Sequence, residues 1–142
     1  MKKALEEKNV EMIYILMGQL SFNEGKNYGW WNKNIVEIVI PPSISYIGNH
    51  CLAECISLKK IIISPSVTLI GDYAFFKCAS LKQILIPSSV TEIGKFAFSE
   101  CKSLEKISFS SSTISIGESS FSECISLRIF RHWTKWNSTI WN

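Results

Sequence analysis

Apolar residues follow two different periods along this chain. From Lys3 to about Leu20, Leu5, Met12, Ile13, Leu16 and Leu20 recur at helical spacing with lysines and glutamates between them, which predicts an amphipathic helix. Farther on the period shortens to two. Ile35-x-x-Ile38-x-Ile40, Leu58-x-x-Ile61-x-Ile63, Leu81-x-x-Ile84-x-Ile86 and Leu104-x-x-Ile107-x-Phe109 each place their named residues on one side of a strand. Leu127-x-x-Phe130 begins a fifth such strand, and His132 at its next inward position marks where the pattern fails.

These strands return at a fixed interval. Gly48, Gly71, Gly94 and Gly117 are 23 residues apart, and Cys55, Cys78, Cys101 and Cys124 keep the same step, as do Leu58, Leu81, Leu104 and Leu127. A period of 20 to 50 residues held in several columns at once predicts stacked structural repeats. Ile47, Ile70, Ile93 and Ile116 precede the glycines, and Leu52, Phe75, Phe98 and Phe121 supply the bulky core residue on the return side. Ser43, Ser66, Ser89 and Ser112 follow the strands, where a hydroxyl can satisfy the backbone of a buried turn. The glycine column implies a backbone conformation or a close approach that a side chain would obstruct.

A solenoid exposes its core at both ends, so terminal units are normally replaced by caps. Residues 1–24 are therefore read as a capping helix and turn, 25–132 as about four to five rungs, and 133–142 as a Trp-rich cap or tail. Gly25 lies 23 residues before Gly48 and opens a degenerate first rung that holds Trp30 and Trp31. In the last segment Trp133, Trp136 and Ile140 have the spacing of a short amphipathic end-cap, with partner anchoring as the alternative role.

The unit Ile-Gly-x-x-Ala-Phe-x-x-Cys-x-Ser-Leu-x-x-Ile-x-Ile-Pro-x-Ser-Val-Thr, nearly whole from Ile70 to Thr91, resembles the BspA-like class of leucine-rich repeats over about residues 34 to 130. That resemblance implies a curved α/β solenoid with a parallel sheet on its concave face and short helical or irregular turns opposite. It also implies a cell-surface or secreted protein, some members being adhesins or host-protein binders. The family has no catalytic residues to carry over.

Composition narrows the function classes. In 142 residues the formal charge is +3, far from the concentrated basic surface of a nucleic-acid binder. Lys59, Lys60, Lys82, Lys102, Lys106 and Arg128 recur near strand starts, but Glu100, Glu105 and Glu123 interrupt them in sequence. No secretory signal or anchor is recognised, because Glu6, Glu7 and Lys8 break any apolar run after Met1-Lys2-Lys3, and no stretch has the length of a membrane span. A cytoplasmic location is the default, with the cell surface implied by the resemblance.

Catalysis finds no constellation: His50 and His132 fall at different repeat positions, and the serines recur in columns as structural residues do. No cofactor or metal is expected. Cys51-x-x-x-Cys55 beside His50 is the one local cluster of metal-ligating residue types. Cys51 shares its column with Ala74, Ala97 and Ser120, which makes it a small core residue.

Function is then sought on outward positions. The first outward column holds Glu37, Lys60, Gln83, Lys106 and Ile129; the second Val39, Ile62, Leu85, Ser108 and Arg131; the third Pro41, Ser64, Pro87, Ser110 and Trp133. Val39, Ile62 and Leu85 form a contiguous apolar stripe, the usual mark of a binding surface, although such residues also merely suit strands. The sequence therefore nominates Val39, Lys60, Ile62, Gln83, Leu85, Lys106, Ser108 and Arg131 as the contact residues for a protein partner. A surface adhesin and a weakly self-associating structural unit are the alternatives.

Overall fold

Each 23-residue unit folds into one coil, and the coils stack through three separate hydrogen-bonded ladders. The computed structural model describes residues 34–111, 114–128 and 139. The predicted helix over residues 3–20, the rest of segment 1–24, Trp30, Trp31, Phe130, His132 and nearly all of segment 133–142 lie outside the described residues.

The first ladder is made by the period-two segments. β1 (Glu37–Val39) pairs in parallel with β3 (Lys60–Ile62), and β5 (Gln83–Ile86) with β7 (Lys106–Phe109), while β3 packs beside β5 so that all four share one face. The second ladder runs β2 (Tyr46–Ile47), β4 (Leu69–Ile70), β6 (Glu92–Ile93) and β8 (Ser115–Ile116), again parallel. In each pair of hydrogen-bonded strands residues 23 apart sit opposite one another: Ile38 faces Ile61, Ile47 faces Ile70, and Ile84 faces Ile107.

A third ladder, with no strand in it, carries the chain back. N–H groups of His50, Leu52 and Glu54 donate to the carbonyls of Asp72, Ala74 and Phe76 on the next coil, at 2.9, 2.8 and 2.6 Å. Between them, the N–H groups of Cys51, Ala53 and Cys55 turn back to Gly48, His50 and Leu52 of their own coil, at 3.2, 3.2 and 3.3 Å. The same alternation repeats at Tyr73, Phe75 and Lys77 and at Phe96, Phe98 and Glu100. Ser119 continues it with a 2.8 Å bond to the carbonyl of Thr139.

This third ladder corrects the α/β expectation: the described residues form a β-solenoid with no helix. An α-helix directs every interior N–H to its own chain four residues back, whereas here alternate N–H groups leave the coil. His50, Glu54, Tyr73, Lys77, Phe96, Glu100, Ser119 and Glu123 also hold φ between 53° and 61°, which stops a right-handed helix from propagating.

Inward side chains fill the tube. Leu52, Leu58, Phe75, Leu81, Phe98 and Leu104 are fully buried, and a fully buried side chain of this size contributes about 1.5–3 kcal/mol. Phe75, Phe98 and Phe121 stack as near-parallel rings with centroids 4.9 and 5.4 Å apart, one from each coil. The glycine column answers to space rather than to φ. A Cβ on Gly94 would lie 2.5 Å from the Asp72 nitrogen and 2.6 Å from the Gly71 carbonyl carbon, and one on Gly71 would lie 2.7 Å from the Asn49 nitrogen.

Candidate protein-interaction face

On the face of β1, β3, β5 and β7, alternate residues point away from the core. Val39, Ile62 and Leu85 are 45%, 46% and 59% exposed, while Ile38, Ile61 and Ile84 beside them are buried. Val39 lies opposite Ile62 in register, and Leu85 lies opposite Ser108. The three apolar side chains thus form the stripe expected from the sequence, ending at a half-buried Ser108. Glu37, Lys60, Gln83 and Lys106 are all exposed, two residues earlier on the same strands. The Lys60 ammonium reaches the Glu37 carboxylate at 2.6 Å. Both groups are more than half exposed, so this pair contributes little to stability. Arg131 lies outside the described residues.

The third expected outward column does not face solvent on its early coils. Pro41 and Ser64 are buried, Pro87 is half-buried and only Ser110 is exposed. The chain turns a corner here: the carbonyls of Pro41, Ser64 and Pro87 accept turn bonds from Ile44, Val67 and Val90 at 3.1, 3.0 and 3.1 Å.

Charge is sorted between the sides of the solenoid. Lys59, Lys82 and Arg128 are exposed where the chain enters the long strands, beside Lys60 and Lys106. Among the described residues only Glu37 and Glu105 oppose them there. Glu100 and Glu123, which interrupt the basic residues in sequence, belong to the third ladder, with Glu54 and Asp72. Lys77 and Lys95 on that side meet Glu100 and Glu118 at 3.8 and 3.7 Å.

The His50 and cysteine cluster is not brought together. The thiols of Cys51 and Cys55 are buried, whereas His50 is exposed and stacks on Tyr73 at 4.7 Å. Burial pushes Cys51 up to about 11 and, with Cys51 nearby, Cys55 up to about 12. The neighbouring Cys101 thiol and burial hold Cys78 well above the thiol range, and burial followed by Cys101 raises Cys124. Thiols held in this way are poor nucleophiles and poor metal ligands. Among the described residues no group of three or more His, Cys, Asp or Glu side chains could hold a metal, and no helix is long and apolar enough to cross a membrane.

An outer aromatic ladder escaped the sequence reading. His50, Tyr73 and Phe96 stack along the third side with centroids 4.7 and 4.9 Å apart, and Lys77 lies 4.9 Å from the centre of the Phe76 ring. The signal was available in register, since these residues all stand two after a column glycine, but three different side-chain types do not announce a column.

The sequence matches the family model of the BspA type leucine rich repeat region in six copies over residues 24–139. Among solved structures, a leucine-rich repeat protein from Bacteroides ovatus is 33% identical, with a TM-score of 0.64, over 68% of this chain and 24% of its own length. One from Eubacterium ventriosum is 30% identical, with a TM-score of 0.60, over 66% of this chain and 25% of its own. The pneumococcal vaccine antigen PcpA is 25% identical, with a TM-score of 0.52, over 68% of this chain and 31% of its own. This chain therefore spans about a quarter to a third of these proteins. No match was found among curated protein sequences. With its 23-residue coils, registered glycine, cysteine and leucine columns and six matched copies, the chain belongs to the BspA-type leucine-rich repeat family.

Proposed function

We propose that this chain is a non-enzymatic protein-interaction module whose long-strand face binds a partner. The apolar stripe of Val39, Ile62 and Leu85 forms the centre of that contact, bordered by Lys60, Gln83, Lys106 and Ser108, and Arg131 extends it. The observation that carries this reading is the exposure of three aliphatic side chains 23 residues apart on neighbouring coils, with their strand neighbours buried. A contiguous apolar patch rimmed by polar groups is what a docking surface requires. In the fuller reading, an amphipathic helix over residues 3–20 closes the first coil and the Trp-rich segment closes the last.

Replacing Ile62 and Leu85 together by Glu tests the face. Neither side chain supports the core, so thermal unfolding stays where it was. Loss of a captured partner is the expected result, and full retention of binding removes this face as the site.

A second reading places the same face on an adhesin-like surface or secreted protein. Its support is the likeness to a pneumococcal vaccine antigen. Antibody labelling of intact cells tests it: signal that appears only after lysis rejects the surface location.

A further inference from the structure

The long-strand face combines its apolar stripe with a net positive flank on one side only, where five cations stand against Glu37 and Glu105. We infer that its occupant is an acidic amphipathic helix of a partner protein, laid across the strands along the solenoid axis. This rests on the reading of that face as the binding surface.

Charge gives the first part. Lys60 and Lys106 stand two residues before the stripe, and Lys59, Lys82 and Arg128 lie just outside them, whereas the opposite flank is neutral, with Ser64 buried and Pro87 half-buried. Glu37 already compensates Lys60 at 2.6 Å. Glu105 stands between Lys82 and Arg128 in their column and offsets one charge there too, so the cations left over leave this flank net positive and the occupant's carboxylates belong on it. Such rim charges steer encounter and fix orientation more than they add affinity. The stripe argues against a nucleic acid, since phosphates gain nothing from Val39, Ile62 and Leu85.

Spacing gives the second part. Val39 pairs with Ile62 in register, and Leu85, 23 residues farther on, stands on the next coil, where β3 packs beside β5; paired strands lie about 4.7–4.9 Å apart. On a helix, residues three or four apart climb about 4.5–6 Å, so apolar side chains at i, i+3 and i+7 meet one coil each. Same-face residues of an extended peptide are about 6.6–6.8 Å apart and outrun the coils by roughly 2 Å at each step.

A stapled helical peptide with Leu at i, i+3 and i+7 and Glu along one flank is the probe, titrated by fluorescence anisotropy against the full chain. Saturable binding is expected, weakening by about tenfold between 50 and 300 mM NaCl as the Debye length shortens. The same peptide with Lys for Glu binds at least about tenfold more weakly to the wild type. A Lys82→Glu/Lys106→Glu protein reverses that preference, which keeps the proposal testable apart from the stripe. Equal binding of the Glu and Lys peptides, or an unstapled Pro-containing acidic peptide binding as tightly, overturns it. So does displacement by duplex DNA at equal charge, or concentration-dependent dimerisation that Ile62→Glu/Leu85→Glu abolishes, which assigns the face to a second copy. If the Glu helix binds Ile62→Glu/Leu85→Glu undiminished, the face itself is wrong. If it fails to bind while that double variant loses a purified partner, the face stands and the acidic helix falls.

Discussion

The Sγ of Cys101 donates a hydrogen bond to the carbonyl of Phe75 at 3.1 Å, reaching back 26 residues to the preceding coil. Cys78 does the same to Leu52 at 3.2 Å and Cys124 to Phe98 at 3.0 Å. The Leu52 and Phe75 carbonyls also receive N–H bonds from within their own coil, so the thiol fills a second lone pair in a buried turn. A small, apolar, weakly donating side chain suits this place better than serine or alanine. Cys101→Ala is accordingly expected to cost about 1–2 kcal/mol, from the lost bond and the lost apolar volume together. A urea midpoint equal to wild type sinks this account of the column.

The same burial sets an alkaline limit. Cys51 and Cys55 rise from the ordinary 9.0 to about 11 and about 12, so the unfolded chain releases these protons at lower pH than the native one. Stability is then fully present below about pH 9 and falls as pH rises through the window from 9 toward 12. Each buried thiol adds at most about 1.4 kcal/mol per pH unit to that slope. Chemical unfolding at pH 7, 9 and 10.5 measures it, and Cys51→Ala should flatten the decline. A stability that is level across the series contradicts buried neutral thiols.

Gly94→Ala is expected to damage the stack severely. The added Cβ meets the Asp72 nitrogen at 2.5 Å and the Gly71 carbonyl carbon at 2.6 Å, and both atoms belong to backbone fixed by neighbouring ladders. The Asp72 carboxylate oxygen, also at 2.5 Å, can turn aside, but the two backbone atoms cannot, so the overpacking cost of about 1–3 kcal/mol applies toward its upper end. A drop of less than about 1 kcal/mol in unfolding free energy shows that the coils can slide apart more readily than this geometry allows.

Much of this was legible in the sequence because solenoid packing is local in register. Inward positions such as Leu58, Ile61 and Ile63 repeat chemically from coil to coil, so periodicity alone finds them. The stripe of Val39, Ile62 and Leu85 followed by subtraction. The third side was not legible, because its conformation depends on which N–H groups leave for the neighbouring coil, and residues as unlike as His50, Tyr73 and Phe96 can occupy it. The serine column was half legible. Ser66 Oγ donates to the Ile44 carbonyl at 2.7 Å and contacts Ser64 Oγ at 2.9 Å, but Ser43 is exposed, and the buried Ser89 Oγ has no partner among the described residues.

That difference between Ser66 and Ser89 predicts opposite responses to one substitution. Pro87 stands where Ser64 stands one coil earlier, so Ser89 lacks the hydroxyl neighbour that Ser66 has. Ser66→Ala should cost about 1 kcal/mol for a part-buried hydrogen bond, whereas Ser89→Ala removes a desolvated, unpaired oxygen and should be neutral or stabilising. Thermal melts of the two single variants decide it, and equal losses at both sites reject the distinction.

Left-handed residues on the third side give the sharpest contrast. Glu54 holds φ 61° and Tyr73 holds φ 55°, a conformation that costs a residue with a Cβ about 1–2 kcal/mol and glycine nothing. Glycine also adds freedom to the unfolded chain, about 0.5–1 kcal/mol against the change. For exposed Glu54 these leave Glu54→Gly favourable by about 0.5 kcal/mol, because its side chain makes no hydrogen bond or ion pair among the described residues. Tyr73 is different, since its ring is stacked between His50 at 4.7 Å and Phe96 at 4.9 Å and meets Phe76 edge-on at 5.5 Å. Each aromatic pair adds about 0.5–1.5 kcal/mol beyond area burial, so Tyr73→Gly forfeits more than the relieved strain returns and should be destabilising. Denaturant unfolding of both variants should move the midpoints in opposite directions. If both rise, the outer ladder contributes no packing, and if both fall, the left-handed strain is smaller than these φ values require.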